Sequence, residues 1–376
     1  MKRLATACAL VALMLALSAT AIPAEQVIKI GFVAPLVGDV ASFGISTKNA
    51  AELWAEQVNA KGGILGNKVQ LVIEDDKGVP AETANVVSKL IDLNKVLLIM
   101  GSCTSNCTLA GAPIAQSKGV PMISGTSTAE PVTKLGNFIF RACFIDSFQG
   151  LVMAKFALNE MKADTAAMLY DVGNDYTKGL AENFEKAFKA GGGKIVAAES
   201  YSTGESDFFA QLTKIKKANP DVLYLPDYYN SVGLQASQAR QLGIKATFLG
   251  SDGWDSPELA KIAGNSMDGS FFTNHYTPES TNPMAVSFLK AYKAKYGVNP
   301  DALAALAYDA CLIVENAIGK AGKLDRIAIR DAMAATKNVP AVCGVLTMGP
   351  DRNPIKSAVI LQVVGSKFTY KTSVTP

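Results

Sequence analysis

The chain has 376 residues, 49% of them hydrophobic and 18% charged, with a formal net charge of +3. That apolar fraction excludes disorder, and the near-neutral charge, spread without blocks, excludes a nucleic acid or a membrane surface as the natural partner. The length points to two domains with substantial cores.

Lys2 and Arg3 precede the apolar run Leu4 to Leu17, and small residues follow around Ala19-Thr20-Ala21 and Ile22-Pro23-Ala24. This is the layout of a secretory signal, so residues 1–24 are read as a signal peptide cleaved after Ala21 or Ala24. The run is shorter than the roughly 20 residues of a membrane span, and no later stretch is read as one. Loss of Lys2 and Arg3 leaves 34 of the 36 basic residues against 33 acidic ones, about +1.

Apolar runs rich in Val, Ile and Leu then alternate with amphipathic segments, the pattern of parallel strands and crossover helices. Strands are expected over Ile28 to Ala34, Lys68 to Glu74, Val96 to Met100 and Val120 to Ser124. Helices are expected near Gly44 to Asn59, Ala81 to Leu93 and Leu109 to Ser117. Lys61-Gly62-Gly63 supplies a positive-φ stop to the first helix. After Arg141 a second series follows: helix Phe148 to Met161, strand Thr165 to Tyr170, helix Thr177 to Ala190, strand Lys194 to Tyr201, helix Phe208 to Ala218. Strand Asp221 to Leu225, helix Ser231 to Leu242 and strand Thr247 to Leu249 complete it. Helices Met284 to Tyr296 and Leu303 to Ala321 should cover a sheet, and Val342 to Met348 and Ala358 to Val364 return to strand pattern. Two βα series of similar size predict an α/β protein of two doubly wound lobes, with a ligand between the carboxyl ends of the strands. No linker rich in Pro, Gly or Ser divides them, which favours several direct chain crossings.

Two hydroxyl-rich loops, Gly101-Ser-Cys-Thr-Ser-Asn-Cys-Thr108 and Ser124-Gly-Thr-Ser-Thr128, each follow a strand pattern and precede a helical one. A helix start leaves N–H groups without partners and carries partial positive charge, so hydroxyls there either complete an anion site or cap their own helices. Cys103, Cys107, Cys143, Cys311 and Cys343 remain after signal removal, an odd number that leaves at least one thiol unpaired or bridged to another chain. Cys103 and Cys107 are spaced either for a loop-clasping disulfide or side by side on a helical turn. No metal site and no cofactor are expected, since His275 is the sole histidine and stands apart from any cysteine. Phosphate-loop, dinucleotide, nucleophile-elbow and zinc-protease motifs are all missing, and Asp75 and Asp76 point to opposite faces of a strand. The chain is not expected to be an enzyme.

The markers Ile30-Gly-Phe-Val-Ala-Pro-Leu36 with Gly38 and Phe43-Gly44, Asn59-Ala-Lys-Gly-Gly-Ile64 with Gly66, Asp75-Asp76, Pro121-Met-Ile-Ser124, Thr126-Ser-Thr128, Arg141, Asp146 with Gln149-Gly150, Asp171 with Tyr176, and Gln238-Ala-Arg240 before Gly250-Ser-Asp252-Gly253 occur in order. On these the chain resembles the periplasmic type 1 solute-binding proteins of ABC importers, in particular the leucine/isoleucine/valine-binding branch. The resemblance implies three chain crossings, a first lobe of 25–142 with 275–355 and a second of 143–274 with 356–376. It also implies a periplasmic monomer that binds a free amino acid, aliphatic or branched-chain, and delivers it to an inner-membrane ABC permease. By motif position, Ser105 and Thr128 match hydroxyls that hold the ligand carboxylate, Thr126 a backbone contact, and Asp252 the acid that holds the ammonium, where the branch has Glu. Tyr176 and Tyr228 match tyrosines that close over the ligand, and Phe43 stands where the relative has Tyr. Trp254, close behind Asp252, is either a wall of the side-chain pocket or core. The branch's disulfide to the loop after the Asp-Asp pair cannot form, because Gly78 stands there without a cysteine. Two alternatives remain at this level: a receptor for another solute, such as an aromatic acid, an amide or urea, and a secreted hydrolase built on His275 or a cysteine.

Overall fold

The computed structural model describes residues 27–375, so the signal segment 1–24 lies outside the described residues. Five parallel strands, β1 (Ile28–Ala34), β2 (Val69–Asp75), β3 (Leu98–Met100), β4 (Met122–Ser124) and β5 (Ile139–Arg141), form a sheet in the order β2-β1-β3-β4-β5. Strand β1 is buried at every position but Lys29, as its otherwise apolar run requires of a strand covered on both faces. Helices α1 (Ala41–Ala60), α2 (Pro80–Asp92), α3 (Ser105–Ser117) and the single turn α4 (Pro131–Lys134) fill the connections. Gly62 and Gly63 both take positive φ just past α1, where the sequence placed the stop.

The second sheet has seven strands, in the order β14-β13-β10-β9-β8-β6-β7. Its parallel part is β6 (Thr165–Asp171), β7 (Lys194–Tyr201), β8 (Val222–Tyr224), β9 (Thr247–Gly250) and β10 (Phe271–Asn274). The last two, β13 (Ala358–Val364) and β14 (Lys367–Val374), add antiparallel at one edge. Helix α5 (Asp146–Asn159) leads into β6, and helices α6 (Asp175–Ala190), α7 (Phe209–Ala218), α8 (Tyr229–Gln241) and α9 (Glu258–Ala263) lie between its strands in sequence. Both sheets reverse winding direction beside their first strand, between β1 and β3 and between β6 and β8. These switch points are where doubly wound sheets open a crevice.

The chain passes from the first sheet to the second after Arg141 and leaves the second after Asn274. It then lays α10 (Pro283–Tyr296), α11 (Ala302–Ala321) and α12 (Arg326–Ala334) on the first sheet's side, and returns at Ala358. Helix α11 packs along α1. By length and composition it is apolar enough to cross a membrane, which the sequence reading did not credit, but most of it is buried core. The strand expected over Val342 to Met348 is corrected: Gly344, at φ +116°, turns the chain, and β11 (Val339–Ala341) and β12 (Gly344–Leu346) pair only with each other.

At the root of the crossings Lys356 is buried against Asp309 of α11, Nζ to Oδ2 3.4 Å, and donates to the Ala142 carbonyl at 3.0 Å. Asp309 also accepts from the Val342 and Cys343 backbone amides, so one buried ion pair ties the first and last crossings to the core helix.

Candidate functional site

Asp252 is 5% exposed and begins a one-turn 3-10 helix, Asp252–Trp254, immediately after β9. Its Oδ1 accepts from the Tyr176 hydroxyl at 2.7 Å and from Gln149 Nε2 at 3.1 Å, and its Oδ2 faces His275 Nε2 at 3.1 Å. Burial pushes the His275 imidazole down to about 4, against the pull of Asp252. The ring is therefore neutral at pH 7. Its Nδ1 has no partner, which assigns the proton to Nε2, donating to the carboxylate. Asp252 thus sits in the interior among three neutral donors, and among the described residues no Lys or Arg bonds to it. A buried carboxylate without a cation is costly unless a cationic group arrives from outside the chain.

Below pH 6.5 the unfolded chain binds a proton at this histidine that the folded chain refuses until about pH 4. The His275 contribution to stability is therefore whole above pH 6.5 and lost on acidification toward pH 4, by up to about 3 kcal/mol. Thermal unfolding across this range should show a shallower acid loss for His275→Gln than for the parent; parallel curves would contradict the assignment.

A narrow crevice of about 10 Å³, room for about one water, lies beside Asp252, between the carboxyl ends of the two sheets. Phe43, Cys103, Ser105, Thr126 and Leu303 line it from the first sheet's side, and Tyr176, Tyr228, Asp252 and Gly253 from the second's. The lid is aromatic: Tyr176 and Tyr228 stack at 4.9 Å, and Phe43 meets Tyr228 edge-on at 5.8 Å. Tyr229, the neighbour of Tyr228, turns instead onto Phe43 at 5.0 Å, as two adjoining residues must divide.

Helix α3 begins at this cavity. Its N-cap, Thr104, makes no side-chain cap bond, so the first-turn amides are not covered by the loop's own hydroxyls. Ser105 Oγ lines the cavity and accepts from Ala129 N at 3.2 Å. Thr126 Oγ1 donates to the Cys103 carbonyl at 2.6 Å, which locks the two hydroxyl loops together. Arg141, fully buried, donates to the Ser127 and Ala129 carbonyls at 2.9 and 2.8 Å and braces the second loop from behind. That loop leads only into the single turn α4, not into a long helix.

The structure thus brings Phe43, Ser105, Thr126, Tyr176, Tyr228 and Asp252 to one cavity. Two expected residues stand apart from its lining. Thr128 is buried one step behind, its Oγ1 without a hydrogen-bond partner. Trp254 is a correction: its indole is fully buried, donates to the Leu225 carbonyl at 3.0 Å and packs on Phe272, because Gly250 leaves room for the ring beneath the turn. Sequence reading missed Cys103, Gly253 and Leu303 at the lining, and Gln149 and His275 behind Asp252. Cys103 and Cys107 are unbridged, as are Cys143, Cys311 and Cys343, and burial pushes the Cys103 thiol well up and that of Cys107 to about 11, so neither is a nucleophile. Asp75 and Asp76 are structural: the first accepts from Leu36 N and Lys77 N, the second from Gly78 N, Thr83 and Ser102.

A family model described as periplasmic binding protein matches residues 27–368. The Leu/Ile/Val-binding protein BraC3 of Rhizobium johnstonii is 34% identical over 86% of this chain and 87% of its own length. Among solved structures, a leucine binding protein LivK from Thermotoga maritima superposes with a TM-score of 0.90 at 37% identity, covering 93% of this chain and 99% of that one. The substrate binding protein LivJ of a branched-chain amino acid transporter from Streptococcus pneumoniae, in complex with isoleucine, gives 0.88 at 34% identity, covering 93% of this chain and all of that one.

Proposed function

Because the chain belongs to the periplasmic binding protein family, whose members named above are solute-binding proteins, we propose that it binds a free aliphatic or branched-chain amino acid in the cavity at Asp252 and hands it to an ABC import permease. The observation that carries this reading is the buried Asp252 carboxylate, supplied with neutral donors and lacking a cation. An α-ammonium completes it. At the other end of the cavity the uncapped start of α3, Ser105 and the Thr126 loop offer donors for an α-carboxylate, with the free Thr128 hydroxyl behind them. Phe43, Leu303 and Cys103 give an apolar wall for an aliphatic side chain.

The lobes, 25–142 with 275–355 and 143–274 with 356–376, then close over the ligand about the three crossings, and a monomer in that closed shape is what the permease in the inner membrane meets after export and signal removal. A solute without an ammonium, such as an aromatic acid, would leave Asp252 unpaired. A hydrolase built on His275 lacks support, because the imidazole is stacked on Phe144 at 3.5 Å and bonded to Asp252 rather than to a nucleophile.

Calorimetric titration of the unfolded and refolded protein with a panel of amino acids tests the proposal, and no heat with any α-amino acid would overturn it. Closure has its own test. Asn106 at the start of α3 reaches the start of α6, donating to the Gly173 carbonyl at 3.3 Å and accepting from Asp175 N at 3.0 Å. Asn106→Ala should weaken ligand affinity about three- to tenfold by removing this clasp from the closed form. Titration alongside small-angle scattering of the apo protein checks it, and unchanged affinity would show that the clasp does not favour closure.

A further inference from the structure

Gln149, on α5, is fully buried and uses its whole amide. Its Nε2 donates to Asp252 Oδ1 and to Asp146 Oδ1, each at 3.1 Å. Its Oε1 accepts from Thr273 Oγ1 at 2.8 Å and from the backbone amide of Asp252 at 3.3 Å. The side chain therefore grips Asp252 at both its carboxylate and its main chain, while Thr273, on β10, fixes which way the amide faces. An amide that faced the other way would present its oxygen to the carboxylate and repel it. The neighbouring acid does not compete: burial pushes the Asp146 carboxyl up to about 8, so it is neutral at pH 7.

We propose that Gln149 is the positioning residue that holds Asp252 in the orientation in which it meets a cationic amine, and that it thereby sets the preference for amino over deaminated ligands. The inference rests on the amino-acid reading above. Asp252 has a short side chain with one methylene, so its carboxylate cannot reach across the cavity by changing rotamer, and its placement depends on what grips it from behind. Of its three donors, Gln149 alone also holds the backbone amide. Tyr176 is shared with Ser251 and Gly253 N, and His275 touches only Oδ2.

The test compares L-isoleucine with the hydroxy acid of the same carbon skeleton, on the refolded full chain without its signal, in the parent, Gln149→Met and Thr273→Val. Gln149→Met keeps the side-chain volume and removes the amide; Thr273→Val removes only the group that orients it, at a strand position where valine folds readily. Affinity for L-isoleucine should fall about tenfold or more in Gln149→Met and about threefold in Thr273→Val, with hydroxy-acid affinity unchanged. Unaltered L-isoleucine affinity in both variants overturns the inference, as does an equal loss for the two ligands, which marks a general packing role. If Gln149→Met does not fold, unchanged L-isoleucine binding by Thr273→Val overturns it alone. A parent protein that binds no amino acid is a different failure, that of the proposed function.

Discussion

Asp252→Ala is expected to weaken amino-acid binding by a factor of about a hundred to several thousand while leaving the folded protein intact. The free energy behind the factor is the roughly 3–5 kcal/mol lost when one member of a buried charge pair is removed, here the partner of the ligand's ammonium. The fold should tolerate the change because the unliganded protein has no cation at that carboxylate to strand. Tyr176 keeps its bonds to Ser251 and Gly253 N, and Gln149 keeps Thr273 and Asp146. Removing an unpaired buried charge offsets most of what the remaining donors lose. Melting curves with and without L-leucine separate the two effects: the apo midpoint should stay near the parent's and the ligand-induced rise should vanish. A variant that binds as tightly as the parent would place the ammonium elsewhere.

Asp309→Ala should have the largest effect on stability. It leaves the Lys356 ammonium, whose side chain is 1% exposed, with the Ala142 carbonyl alone, and it deprives the Val342 and Cys343 amides of their acceptor. Breaking a buried pair from one side costs about 3–5 kcal/mol, which in a protein of this size lowers the unfolding midpoint by about 4–7 °C. Asp309→Leu combined with Lys356→Met should recover much of that loss, since neither charge is then buried unpaired. Thermal unfolding of the three proteins decides, and a loss below about 1 kcal/mol for Asp309→Ala would mean that water reaches the lysine. The contrast with Asp252 is instructive: one buried carboxylate carries its cation within the chain, while the other stands without one.

The long elements were legible because their patterns are strong. Ile28–Ala34, Lys194–Tyr201 and Ala358–Val364 were read with the bounds they have, and helices such as Asp175–Ala190 within two residues. What escaped was short or exposed: β5 and β10 span three and four residues, too few to show a period, and the longer β14 pairs at an edge with half its side chains in water. At the site, residues that follow a strand end could be found, since loop position and chemistry coincide at Ser105, Tyr176 and Asp252. Gln149 and His275 could not, because what makes them matter is a hydrogen bond to a residue 103 and 23 positions away, and nothing local announces it. Trp254 was ambiguous for the opposite reason. Its neighbours in sequence point to the cavity, and only the space above Gly250 shows that the ring turns into the core.

The helix that covers α1 comes near the end of the polypeptide. Until residues 302–321 have been synthesised, α1 lacks the helix it packs along, and Trp54 lacks Glu315, which receives its indole N–H at 2.8 Å. Closing so long a loop is slow, since ordering entropy is spent before the contact returns anything. The first sheet therefore stays without its covering helix while the chain is still growing. Completion of the first sheet's layer is deferred until residues 302–321 exist.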